Sequence, residues 1–259
     1  MSPAPPQIFS ERRRDAVRRR MAMMQRDAEA PRYLYADVAE DIGERLGFVR
    51  HGPQRVLLIG DAGGTIAGQL AGPGCEVVIA DPADGLGVQS FGLERPWPVG
   101  GFDLIAVAFA FDTANDLPGA LVHARSALAP GGLMLATMLG GGSLPALRAI
   151  SLAADADRPS PRLHPQVDVR AGAQLLQRAG FADPVADSRS LAVRFSSLRR
   201  LLDDLRAQGL SSALRLGGPP FSRQGRERAL AAFAGQAAPD GRVTERFELL
   251  TLSGWRRPA

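Results

Sequence analysis

The chain has 259 residues, of which 45% are hydrophobic and 22% charged, with a formal net charge of +4. That length buries one full core, and the composition is that of a globular protein, neither disordered nor membrane-spanning. All 31 basic residues are arginines, so Schiff-base chemistry and a lysine-dependent phosphate loop are excluded.

The arginines accompany abundant alanine, glycine and proline, which reads as GC-rich bacterial coding. Nucleic acid is not an expected partner, because the net charge is small and no base-stacking aromatic set goes with the arginines. Cys75 is the only cysteine, which rules out a disulfide within the chain and a thiolate cluster; it reads as a small apolar filler. His51, His123 and His164 are too scattered to suggest a metal site, and none is expected. No apolar run approaches the roughly 20 residues of a membrane span, and the N-terminus lacks a signal-peptide core. The expectation is a reduced, soluble, cytoplasmic protein.

In chain order, residues 1–7 are proline-rich and expected to fray. An arginine-dense segment over 8–26 keeps loose helical spacing at Ile8, Phe9, Ala16, Val17, Met21 and Met24. Two readings stay open for it. It could meet an anionic membrane surface, giving peripheral contact at the inner membrane, or an acidic partner. It could equally be a solvated helix lying across the domain, which is the simpler account. A second helix follows over 33–46, with Leu34, Val38, Ile42 and Leu46 on one face.

Strands are then predicted near 55–59, 76–80, 102–107 and 132–137, alternating with helices, one of which opens at Asn115 or Asp116 and runs to about 128. Such alternation forces a parallel sheet. A Gly140-Gly141-Gly142 turn leads into a helix start, a proline-rich loop spans 158–165, and a helix spans 169–179. A turn and strand over 181–193, helices near 197–208 and 221–236, and a last strand over 243–255 complete the chain. No internal repeat is visible.

The chemistry concentrates at the first strand. Val56-Leu57-Leu58-Ile59 runs into Gly60-Asp61-Ala62-Gly63-Gly64, and an apolar helical pattern follows. This is the first unit of a nucleotide-binding α/β fold, where glycines let a cofactor approach the backbone. The second strand ends in Asp81, about 20 residues on, where a carboxylate can take the two hydroxyls of a ribose. Pro82 behind it restricts Asp81 to an extended conformation. Asp61 either meets a positive charge on the ligand or caps the next helix. Asp112 directly follows an apolar strand at the rim where such sheets bind ligands.

These motifs look like a class I S-adenosylmethionine (SAM) methyltransferase. The resemblance narrows further through Ile8-Phe9-Ser10, Tyr33-Leu34 with Val38-Ala39, Phe102-Asp103-Leu104 and Asn115-Asp116-Leu117-Pro118-Gly119-Ala120-Leu121. Gly140-Gly141 with Leu144 and Leu147-Arg148, Leu175-Leu176-Gln177-Arg178-Ala179-Gly180-Phe181 and Gly254-Trp255 add to it. Together they resemble the methyltransferase-like family of the respiratory complex I assembly factor described as an arginine hydroxylase, with its α-proteobacterial relatives. A weaker similarity is to the malonyl-carrier-protein methyltransferase of biotin synthesis.

The resemblance implies a Rossmann-like α/β sheet of seven strands, mainly parallel, with an antiparallel last strand and helical N-terminal and late insertions. Residues 1–32 form a basic extension in this reading. Residues 33–259 form the methyltransferase-like domain, with a cofactor half over about 54–140 and a helical, substrate-side part over about 141–259. The implied cofactor is SAM, held at Gly60, Asp61, Ala62, Gly64, Asp81 and Pro82.

The chain departs from the family where Leu58 replaces an acid and Ala62 a glycine, where Phe91 replaces the adenine-side acid, and at Asp112-Thr113 and Gly142. Ala62→Gly and Leu58→Asp are therefore expected to strengthen cofactor binding, and Asp81→Ala to weaken it with little loss of stability. The implied function is a SAM-dependent methyltransferase homologue acting on a protein or carrier-bound substrate. The alternative is a non-catalytic or arginine-hydroxylating assembly factor with a respiratory complex I subunit as protein partner.

Overall fold

A computed structural model describes residues 7–258; most of the proline-rich start expected to fray lies outside them. Eight helices and seven strands are present among the described residues: α1 (Glu11–Met24), α2 (Tyr33–Val49), β1 (Arg55–Ile59), α3 (Thr65–Leu70), β2 (Glu76–Asp81), β3 (Gln89–Ser90), β4 (Phe102–Ala108), α4 (Leu117–Ala127), β5 (Leu128–Leu139), α5 (Pro145–Ala154), α6 (Val169–Arg178), β6 (Ala182–Phe195), α7 (Leu198–Ala207), α8 (Arg223–Gly235) and β7 (Val243–Trp255). The strands form one sheet in the order β3-β2-β1-β4-β5-β7-β6. Strands β1 to β5 pair in parallel, and β7 runs antiparallel to both its neighbours, as expected of the last strand.

Alternation along each strand divides the core. Val56, Leu58, Leu104, Ala106 and Phe247 face a cluster closed by Met21, Leu34, Val38 and Leu205, from α1, α2 and α7. Leu57, Ile59, Ile105, Val107 and Leu252 face the opposite cluster, closed by Leu121 of α4 and Leu176 of α6. The later part of the chain thus supplies β6 and β7 to the same sheet as the first half.

Helix α5 shows how distant strands finish local structure. Leu144 precedes it at φ 60° and offers no side-chain cap. The cap comes from Glu245 of β7, whose buried carboxylate accepts from Ala146 N at 3.1 Å and Leu147 N at 2.8 Å. Glu245→Ala is expected to cost about 1–3 kcal/mol, since two helix-terminal donors would be left buried and unpaired. Urea unfolding of the variant beside the parent checks this.

No described helix is long and apolar enough to cross a membrane.

Candidate functional site

The carboxyl ends of β1 and β2 lie side by side, with Gly60 N donating to Ala80 O at 3.1 Å. Gly60 sits at φ +98°, and a Cβ there would collide with the Ala108 carbonyl oxygen, so the turn needs glycine for its backbone angle and for its clearance. Gly64 starts α3 at φ +69°. Beside the turn is a cavity of about 320 Å³ lined by Asp61, Ala62, Gly63, Gly64, Asp81 and Val88 among others. Gly60 and Pro82 adjoin the lining residues in sequence without belonging to them.

Asp61 is a helix cap. Its carboxylate accepts from Thr65 N at 3.1 Å, Ile66 N at 2.9 Å and Ala67 N at 2.8 Å. Burial pushes its carboxyl up from the ordinary range, and these backbone bonds pull against that shift. Of the two readings open in the sequence, the cap is the one the geometry shows.

Asp81 stands at the expected strand tip, but it is engaged. Arg18 of α1 reaches through the interior and holds it from both sides: Nε lies 3.3 Å from Oδ1 and 3.1 Å from Oδ2, and Nη2 lies 2.6 Å from Oδ2. Ala83 N adds a bond to Oδ1 at 3.0 Å. A carboxylate offers about four lone-pair directions, and here three N–H donors, one of them shared between the two oxygens, engage both oxygens. Arg18 Nη2 also donates to Gly60 O at 2.7 Å, so one guanidinium spans the turn and the strand tip. Both side chains are buried, at 4% and 3% exposure.

Helix α1 therefore lies across the domain as expected, but it is not simply solvated. Arg14, Val17, Arg18 and Met21 form its buried face, while Arg12, Arg13, Arg19 and Arg20 point outward. On the adenine-side segment, Phe91 packs against Trp97 with ring centroids 5.2 Å apart. Glu94 accepts from Asn115 N at 2.7 Å and lies 3.7 Å from Arg14 Nη1. Asn115 in turn clamps the backbone of Phe9, so Asp116 is the residue that caps α4, accepting from Gly119 N.

No family model matches the chain. The malonyl-[acyl-carrier protein] O-methyltransferase of Halorhodospira halophila is 30% identical over 266 residues, which is 93% of this chain and 88% of that one. The chain belongs to the class I SAM-dependent methyltransferase-like family. The mitochondrial arginine-hydroxylase NDUFAF5 of Rattus norvegicus is 29% identical over 171 residues, 62% of this chain and 48% of its own length. The chain thus spans about half the length of that relative. Among solved structures, a Bacillus halodurans protein described as a methyltransferase superposes with a TM-score of 0.53 at 15% identity, covering 83% of this chain and 98% of that one. That likeness supports the fold.

The Gly60 turn and the Asp81 carboxylate stand at adjacent strand ends beside the cavity, an arrangement compatible in kind with SAM, although Leu58 and Ala62 depart from the family's turn. The fit is conditional on Arg18, because ribose hydroxyls need the lone pairs that Arg18 now takes. Leu58 also looks different in three dimensions. It is fully buried in the apolar cluster under α1 and α2, so Leu58→Asp would bury a carboxylate among aliphatic side chains. It would destabilise the protein rather than simply restore a ligand.

The sequence reading missed three polar residues. Arg18 was one basic residue in a run of them. Glu245 and Glu248 lie in the last strand, Val243–Trp255, where the sequence singles out neither of them. Glu248 accepts from Gly142 N at 2.6 Å, and a Cβ at Gly142 would collide with its carboxylate.

Asp112 lies in a short helical turn, Phe111–Thr113, just beyond β4. Its Oδ1 accepts from Leu139 N at 2.9 Å, while Oδ2 is buried with no partner. Burial pushes this carboxyl up to about 7, against the Leu139 bond and the field of Arg18. The sign of the pH effect follows. Between the ordinary value of 3.8 and about 7 the folded protein keeps the proton that the unfolded chain has lost. The raised group's contribution is therefore whole below the ordinary value and is lost as pH rises through the folded one. Stability should decline across that window, Asp61 and Glu245 adding in the same direction, and Asp112→Asn should flatten the decline. Denaturant midpoints across pH check it.

Proposed function

We propose that the protein is a SAM-dependent methyltransferase acting on a carrier-bound or protein-borne substrate, and that Arg18 controls access to its cofactor site. The observation behind this reading is the pairing of the Gly60 turn with the Asp81 carboxylate at adjacent strand ends beside an open cavity. Bound there, SAM would supply a methyl group activated on a positively charged sulfur. Gly60 and Gly64 would give it backbone clearance, Asp61 would hold α3 in register, and Asp81 would accept from the ribose hydroxyls once Arg18 withdraws. Proximity and exclusion of water can then carry much of the rate.

A second reading is favoured by the engagement of both Asp81 oxygens by Arg18: a scaffold in which Arg18 permanently replaces the cofactor and α1 presents Arg12, Arg13, Arg19 and Arg20 to an acidic surface. A respiratory complex I subunit or an anionic membrane face would be its partner. Arginine hydroxylation, the activity for which the rat relative is named, gains no support from the side chains: among the described residues no group of three or more His, Cys, Asp and Glu is placed to hold a metal ion. Calorimetry with SAM and S-adenosylhomocysteine separates the first two readings. Micromolar binding by the parent supports the enzyme, and binding by Arg18→Ala alone supports a site that Arg18 keeps closed, as in the scaffold. No heat from either protein at millimolar ligand supports the scaffold.

A further inference from the structure

Two buried polar atoms lack partners near the ends of β4 and β5: Asp112 Oδ2 and Arg18 Nη1. Asp112 lines a small cavity of about 30 Å³, which Gly209 also lines. A Cβ on Gly209 would stand 3.5 Å from Arg18 Nη1, so that unpaired donor abuts the same wall. On one side, through Arg18, lies the cofactor turn. On the other lies an apolar groove of about 330 Å³, lined by Leu147, Ile150, Leu198, Leu202, Leu205 and Phe221 among others. Cavity and groove share Leu144, Arg162, Leu163, Leu210 and Ser212 as wall residues. Asp112 therefore stands between the place for a cofactor and a path for an apolar molecule.

We propose that Asp112 is the proton acceptor of the methyl-acceptor subsite, and that the groove admits an apolar body carrying an acidic hydroxyl of the phenol or enol class. The choice of acceptor follows from charge. An ionised carboxylate acceptor would meet Asp112 as a like charge in a dry site, whereas a neutral hydroxyl can donate to Oδ2. A base that titrates near neutrality suits a hydroxyl more acidic than an aliphatic alcohol. Of the other charged groups near Asp112, Arg18 is held by Asp81 and Gly60 O through Nε and Nη2, and only its Nη1 is left at the cavity wall. Arg162 is committed to Asp155, at 2.7 Å through Nε and through Nη2. His164 accepts from Ala213 N through Nε2, and burial lowers it to about 4, so it stays neutral at physiological pH.

Resting on the methyltransferase reading, the step balances as follows. The acceptor oxygen forms a bond to the methyl carbon while the methyl–sulfur bond breaks, its electron pair remaining on sulfur. The hydroxyl proton passes to Asp112 Oδ2 and later to solvent.

The test uses the full chain and a matched pair of probes, para-butylphenol and para-butylbenzoate, measured by calorimetry at pH 6 and pH 8. The parent should bind the phenol about tenfold more tightly than the benzoate at pH 8, one like-charge contact being enough for that ratio. The preference should shrink at pH 6. Asp112→Asn keeps an oxygen for Leu139 N, so it should fold, and it should lose the preference at both pH values. Leu202→Arg, at the groove wall, should abolish phenol binding. A parent that binds the benzoate equally well at pH 8, or an Asp112→Asn protein with the same preference, overturns the assignment. So does undiminished phenol binding in Leu202→Arg, or no phenol binding by the parent. Neither probe needs SAM. If SAM fails to bind while the preference persists, the subsite stands and the methyl-transfer reading falls.

Discussion

Asp81→Ala is expected to destabilise the protein by about 3–5 kcal/mol, the range for removing one partner of a buried ion pair. As a strand-tip carboxylate alone, Asp81 would be nearly free to change, which is what its position in the sequence suggests. The structure overturns that expectation, because the alanine would leave the Arg18 guanidinium enclosed with only Gly60 O still accepting from it. The buried charge cannot escape by losing its proton, since the carboxylate and burial act on a group that already titrates far above neutrality. Asp81→Asn should lose less, because its amide oxygen can still accept from Ala83 N and from one arginine nitrogen. Urea unfolding at neutral pH with a common slope reads the difference. A loss under about 1 kcal/mol would place the pair among weak exposed contacts, and Arg18 could not then be holding the site closed.

The same pair explains what was legible in the sequence. The sheet was: each of β1, β2, β4 and β7 is an apolar or alternating run that starts within two residues of a glycine or proline, and the last strand was expected over the residues it occupies, Val243–Trp255. The two-residue edge strand β3 is too short to carry a pattern. The turn and Asp81 were legible because they are close in sequence and their spacing has a fixed meaning. What occupies Asp81 was not, because Arg18 lies 63 residues away and looks like its neighbours.

The available signal was faint. Arg14, Val17, Arg18 and Met21 share a face at helical spacing, so two arginines had to lie on the side that also carries apolar residues. In a chain whose every cation is arginine, that signal disappears into the background. Glu245 was hidden for a related reason. Its donors, at Ala146 and Leu147, are about a hundred positions away, and a helix with an uncapped start gives no hint of which distant strand completes it.

Arg18→Ala is expected to raise SAM affinity by roughly a hundredfold, the opposite of what removing a buried cation from a binding site usually does. In the parent, any ligand whose hydroxyls use Asp81 must first displace a guanidinium held by bonds to both carboxylate oxygens and to Gly60 O. Breaking such a pair costs about 3 kcal/mol or more, and each 1.4 kcal/mol is about tenfold in affinity. The alanine variant has no pair to break. Its cost moves to the unliganded protein, where Asp81 stands without its partner.

Two readouts should therefore change together: the variant should unfold at lower urea than the parent without ligand, and should gain more stability on adding SAM. Coupling gives the stricter test. With Asp81→Asn added to Arg18→Ala, the gain in affinity should largely vanish, because the freed carboxylate is its source. Equal SAM affinity in parent and Arg18→Ala would mean that Arg18 does not guard the site. A gain that survives Asp81→Asn would mean that SAM binds elsewhere than at the tip of β2.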